Sequence, residues 1–190
     1  MRNRLGWGMR KAPPKITPSY LENAALHYLE RFAASSASVR RVLMRKVDRA
    51  LEHWGGERSE AAAQVDATMA KLARLGYLDD SAYAATKARA LNRQGRPVRV
   101  IRAALATKGV DGDTTAAALD GLTQELAEPD LAAAIRFARK RRLGPFRKAD
   151  AAADPRKELA AMARAGFDLD TARRVLAAAD EEAAEALATP

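Results

Sequence analysis

The chain has 190 residues, 33 Lys and Arg against 24 Asp and Glu, and a net charge of +9. Its apolar fraction of 48% is swollen by 45 alanines, and removing them leaves 46 larger apolar residues, so any core is thin and spread along the molecule. Val, Ile and Thr number only 20, too few for a protein built mainly of sheet, and the lack of cysteine excludes disulfide scaffolds, thiol nucleophiles and Cys-based metal sites.

No apolar run approaches the roughly 20 residues of a membrane span, and the N-terminus lacks a signal-peptide core. A soluble, cytoplasmic, mostly helical, basic protein is expected. Residues 1–17, with Gly6, Gly8, Pro13 and Pro14 and no apolar period, read as a disordered basic arm. Leu21, Ala25, Tyr28, Leu29 and Phe32 then predict a helix over about 19–33. Ser35, Ser36 and Ser38 offer N-caps for a second helix striped by Val39, Val42, Leu43 and Ala50 and stopped by Gly55-Gly56. A third runs from about Ser59 to Leu75 and stops at Gly76.

Asp79 and Asp80 place a cap and negative charge at the start of a helix over about 80–93. Pro97 suits the first position of the next, which shows Val98, Ile101 and Leu105 before Lys108-Gly109. Asp113 is expected to cap a helix carrying Ala117, Leu119, Leu122 and Leu126. Leu131–Leu143 reads as helix, Gly144-Pro145 as a break, and 149–154 as low complexity. A helix over about 155–165 ends at Gly166, and Asp168 or Asp170 caps a last one through about Ala186.

Charge is segregated along this order. Between Ala84 and Val110 lie seven bases and no acid (Lys87, Arg89, Arg93, Arg96, Arg99, Arg102 and Lys108). Between Leu131 and Ala149 lie seven more, including Arg136, Arg139, Lys140, Arg141 and Arg142, while Asp180, Glu181, Glu182 and Glu185 make the C-terminus acidic. This pattern points to a polyanionic partner, nucleic acid first. Arginine outnumbers lysine 24 to 9, and its planar fork suits phosphate and carboxylate alike. Arg41 and Arg45 lie roughly opposite the apolar stripe of the second helix.

The order of three helices with a basic-Gly-apolar turn after the second occurs three times. A shift of about 62 residues sets Ser35 on Pro97, Val39 on Ile101, Leu43 on Leu105 and Lys46 on Lys108, and Arg164-Ala165-Gly166-Phe167 repeats the turn. Tandem three-helix units are predicted over 18–78, 79–128 and 129–186, followed by a tail at 187–190, an arrangement that suits a thin core.

The junction Leu75-Gly76-Tyr77-Leu78-Asp79-Asp80-Ser81-Ala82-Tyr83-Ala84 carries a resemblance, together with Gly95-Arg96-Pro97, Ile101-Arg102, Leu105, Lys108-Gly109-Val110 and the earlier Ser35, Val39-Arg40-Arg41, Leu43 and Lys46. These residues resemble the RecX family of recombinase regulators, well over 20–126 and loosely over 131–178. The chain departs from the pattern where Lys46-Val47 replaces a usual Lys-Gly, and where 149–154 interrupts the third unit. The resemblance implies an all-α, elongated, curved array of three-helix repeats. It further implies binding in the groove of a RecA–DNA filament, inhibition of ATP hydrolysis and strand exchange, and weak DNA binding by the protein alone.

The raw material for catalysis is poor. His27 and His53 read as packing or surface residues, Asp79-Asp80 is explained by capping, and Gly55-Gly56 and Gly95 lack the Lys-Ser/Thr partner of a phosphate loop. Tyr20, Tyr28, Phe32, Tyr77 and Tyr83 fall at helical spacings or turns and are expected in the core rather than on a base-stacking platform. The expectation is therefore a non-enzymatic monomer with no cofactor and no metal, whose partners are a RecA-type filament and, weakly and without sequence preference, DNA. The residues expected to make contact are Arg41, Arg45, Arg93, Arg96, Arg99, Arg102, Lys108, Arg139, Lys140, Arg141 and Arg142. The rival reading is a free-standing, sequence-nonspecific DNA-binding helical protein. A ribosome- or RNA-associated protein is supported only by the high pI.

Overall fold

The computed structural model describes residues 12–148 and 152–188, all helix, turn and irregular chain with no strand among them. Residues 1–11 of the basic arm, part of the low-complexity stretch (149–151) and the last two of the tail lie outside the described residues. The chain divides between Leu78 and Asp79 into two compact units.

The first unit holds α1 (Pro18–Leu29), α2 (Ser36–Trp54) and α3 (Arg58–Arg74), each packed on the other two. Leu21, Ala25, Val39, Leu43, Val47, Val65 and Leu72 close its core. The four-residue recurrence of Val39, Leu43 and Val47 explains why α2 turns one face inward. Helix α1 ends sooner than its apolar period predicts. Ser35 must be extended to cap α2, with φ −71° and ψ 155°, so the chain leaves the helix beforehand and Phe32 stands 54% exposed. Tyr77, also expected inside, is 55% exposed in the turn after α3. Of the arm, residues 12–17 lie against this unit: Ile16 packs on the core, the Trp54 indole N–H donates to the Pro13 carbonyl at 2.8 Å, and Thr17 caps α1.

The second unit holds α4 (Asp80–Arg93), α5 (Val98–Thr107), α6 (Gly112–Glu125), α7 (Pro129–Arg141), a 3-10 turn (Gly144–Phe146), α8 (Pro155–Ala165), α9 (Leu169–Leu176) and α10 (Glu181–Ala186). It has two hydrophobic clusters. Ala84, Ala88, Ile101, Leu105, Leu119 and Leu122 knit α4, α5 and α6 together. Leu131, Ala134, Ala138, Phe146, Met162, Phe167, Ala172 and Val175 knit α7, α8 and α9. The thin core inferred from composition is thus three small cores.

Local signals set the boundaries. Asp79, Asp111, Asp154, Asp168 and Asp180 each accept a hydrogen bond from the backbone N–H three residues on, at 2.8–3.0 Å. Asp111, not Asp113, caps α6, because the tight turn at Gly109-Val110 puts Asp111 at the first extended position. The same arrangement recurs at Gly166-Phe167-Asp168, and Thr114 and Thr171 each add a hydroxyl hydrogen bond to the capping carboxylate. The last helix is two helices. After α9 the alanines at 177–179 are not helical, and Asp180 caps α10 afresh. Helix α7 begins two residues before the expected Leu131, with Pro129 in its first turn.

Candidate nucleic-acid interface

In the first unit the cations fall into two sets. Arg40 donates to both oxygens of Asp66 at 2.7 and 3.3 Å, Arg58 to Asp48 at 2.8 Å, and Lys71 to Glu22 at 2.6 Å. The Arg40 hydrogen bonds hold the Asp66 carboxyl below, and raise the guanidinium above, their ordinary ranges. The other set runs along α2 at four-residue spacing. Arg41, Arg45 and Arg49 are all exposed, about 6 Å apart along the axis. Arg45 and Arg49 enter no ion pair among the described residues, and Arg41 donates to the Ser38 hydroxyl at 3.1 Å. Arg49, which is not among the expected contact residues, extends the row one turn beyond Arg45, and that four-residue spacing is the signal for it in the sequence.

In the second unit α7 lies directly over the α4–α5 turn. A Cβ on Gly95 would sit 3.0 Å from the Phe137 backbone nitrogen. Pro97, the N-cap of α5, offers no side-chain acceptor, and Asp130 of α7 supplies one by accepting the Val98 N–H at 2.6 Å. Asn92, near the end of α4, donates to the Pro129 carbonyl at 2.8 Å and accepts from Arg136 at 2.7 Å. The sequence had placed Arg93 and Arg96 in one basic stretch, and Lys140 and Arg141 in another. The fold brings both stretches to this joint, where Lys140 follows Arg136 by one turn and the Arg141 guanidinium lies 5.8 Å from the Phe137 ring. Arg93, Arg96 and Lys140 are exposed and enter no ion pair among the described residues.

All eleven expected contact residues are exposed, but they are not equivalent. Arg99 donates through Nε to the Gly166 carbonyl at 2.6 Å, fastening α5 to the α8–α9 turn. Arg139 is ion-paired with Glu185 of α10 and stacks on Phe146 at 5.1 Å. Arg102 lies on α5 and Lys108 follows its last residue, and Arg142 ends α7 in the left-handed conformation with φ 57°. Elsewhere Arg89 bonds Glu125 at 2.7 Å and Arg174 bonds Glu128 at 2.6 Å, which lowers both carboxyls from their usual range.

Among the described residues no group of three or more His, Asp or Glu is placed to hold a metal ion, and no helix is long and apolar enough to cross a membrane. His27 faces Glu30 at 3.7 Å on the surface, and His53 packs edge-on to Trp54 at 4.4 Å.

Residues 79–119, covering α4, α5 and half of α6, match the family described as RecX, second three-helix domain. The regulatory protein RecX of Myxococcus xanthus (strain DK1622) is 48% identical over 168 residues, spanning 87% of this chain and 89% of that protein. The chain belongs to the RecX family. The RecX of Agrobacterium fabrum (strain C58) is 34% identical over 170 residues, 89% of this chain and 88% of its own. Two solved RecX structures share the fold at 21% identity. One has a TM-score of 0.59 over 84% of this chain and 71% of that one. The other, from Lactobacillus salivarius, has a TM-score of 0.56 over 82% and 91%. RecX proteins are regulators and not enzymes, and the three-helix organisation seen here is theirs.

Proposed function

We propose that this RecX-family protein regulates a RecA-type recombinase by binding in the groove of its DNA filament, where it slows ATP hydrolysis and strand exchange. Three-helix repeats over 18–78, 79–128 and 129–186 each contribute basic side chains toward DNA phosphates or acidic recombinase surfaces. The observation that carries the reading is the set of exposed cations that enter no ion pair among the described residues. Arg45 and Arg49 stand in this state on α2, and Arg93, Arg96, Arg102 and Lys140 on the second unit, whereas Arg40, Arg58, Arg89 and Arg174 are neutralised. Leaving exposed cations unpaired adds nothing to the fold but favours association with a polyanion.

DNA-dependent ATP hydrolysis by the recombinase of the same organism tests this. Equimolar protein is expected to reduce the rate severalfold, and the Arg96→Glu/Arg102→Glu variant to restore most of it with an unchanged helical spectrum. Arg99 is left out of the variant because it fastens α5 to Gly166. No effect of the unmodified protein at equimolar amounts would sink the proposal. Tight binding to bare duplex, without any action on the recombinase, would favour the free-standing DNA-binding protein instead.

A further inference from the structure

Four described arginines are partly buried: Arg89, Arg136, Arg147 and Arg174. Three of them lie on a carboxylate. Arg89 meets Glu125, Arg174 meets Glu128, and Arg147 grips both oxygens of Glu158 at 2.9 Å. Arg136 alone does not. One of its terminal nitrogens donates to the Asn92 side-chain oxygen at 2.7 Å, with the Asn92 carbonyl 3.5 Å away. Asn92 is itself only 1% exposed and is locked by its own donation to Pro129. The guanidinium is thus held from one side at the carbonyl end of α4, which suits a cation. Its other nitrogens have no partner among the described residues.

The surroundings do not favour its charge. Burial, and secondarily the charge of Arg93, push the Arg136 guanidinium below its usual range, and no carboxylate offsets them. Capping α4 occupies one nitrogen of the fork and leaves the other edge of this partly buried cation open at the surface. Arg93 stands near enough for its charge to be felt, and Lys140 follows one turn on along α7.

We propose that Arg136, aimed by the buried Asn92 and flanked by Arg93, is a binding site for a phosphate of the DNA backbone, held by the free edge of the guanidinium. The proposal rests on the reading that this joint faces DNA. A phosphate of a polyanion is favoured over a lone carboxylate because Arg93 and Lys140, exposed and in no ion pair among the described residues, remain to take further negative charges. Asn92 is a positioning residue here and touches no ligand.

The test measures binding of a fluorescently labelled 30-base-pair duplex by anisotropy, without recombinase, over a range of salt concentrations. Arg136→Met is expected to weaken binding at low salt about tenfold. It should also reduce the steepness of log K against log salt by about 0.9, the value of one lost phosphate contact on duplex DNA. Its melting temperature should stay the same or rise, because an unpaired, partly buried cation has been replaced by an apolar chain of similar length. Arg136→Lys should keep the salt slope while losing severalfold in affinity, since the charge remains without the fork. An unchanged slope in Arg136→Met overturns the site, and a lower melting temperature with that unchanged slope marks Arg136 as a helix cap only. DNA binding that is intact alongside lost action on the recombinase also overturns it, and assigns the guanidinium to an acidic group of the protein partner. The DNA measurement contains no recombinase, so it fails or succeeds independently of the ATPase test.

Discussion

Two glycines show how much of this protein is decided by single atoms. Gly76 and Gly166 both end helices at positive φ, +78° and +106°, where an L side chain is strained. Around Gly76 a Cβ would meet nothing within 4 Å, whereas at Gly166 it would sit 2.7 Å from Val100 Cγ2 and 3.2 Å from Arg99 Nε. Gly76→Ala is therefore expected to cost only the left-handed penalty of about 1–2 kcal/mol. Gly166→Ala should cost clearly more, because it also pushes α5 off the α8–α9 turn and breaks the Arg99 tether. Chemical denaturation of the two variants checks the order, and equal losses would show that the packing of Pro97, Arg99 and Val100 over Gly166 is soft. The sequence marked Arg99 as a surface cation and Gly166 as a stop signal. Their hydrogen bond spans 67 residues and leaves no local trace.

At the scale of the element, helix starts were the most legible feature, because a cap is a local bargain between one side chain and the next three residues. The sequence narrows the caps to Asp79 or Asp80 and to Asp168 or Asp170 for that reason, and Asp79 and Asp168 are the ones that cap. Asp113 was misread because Asp111-Gly112-Asp113 offers two carboxylates, and only the turn before them decides between the two. Asp168→Ala should lose about 0.5–2 kcal/mol and Asp111→Ala should also lose stability, while Asp113→Ala should lose little. The hydrogen bonds to Thr114 and Thr171 hold the Asp111 and Asp168 carboxyls below their usual range, as hydrogen bonds to Lys157 do for Asp154. Folded pKa values below the unfolded ones mean that this stabilisation is fully present above the unfolded value of about 4, and is lost as pH falls through the folded values. A melting temperature that is level from pH 7 to 5 and drops below about 4 is expected, with a smaller drop in the Asp168→Ala variant. The single long final helix failed for a complementary reason. Alanines favour helix, but Asp180 offers a new start that their propensity does not forbid.

For the molecule as a whole, composition foretold a thin core spread along the chain, and among the described residues that core divides into three small clusters. Charge segregation located the basic stretches, yet whether a given arginine is spent on a carboxylate depends on distant partners. Glu185 lies 46 residues from Arg139, and Glu128 lies 46 from Arg174. The small cores carry a further consequence. None is large enough to dominate the stability of the chain, so local openings should precede global unfolding. Native-state amide exchange is expected to sort the buried helices into groups centred on Val39 and Val65, on Ile101 and Leu119, and on Met162 and Val175, each with its own opening free energy. One shared value for all three would instead describe a single cooperative block. A protein that opens piecewise is also nicked piecewise, so limited proteolysis should release stable fragments before the chain is lost altogether.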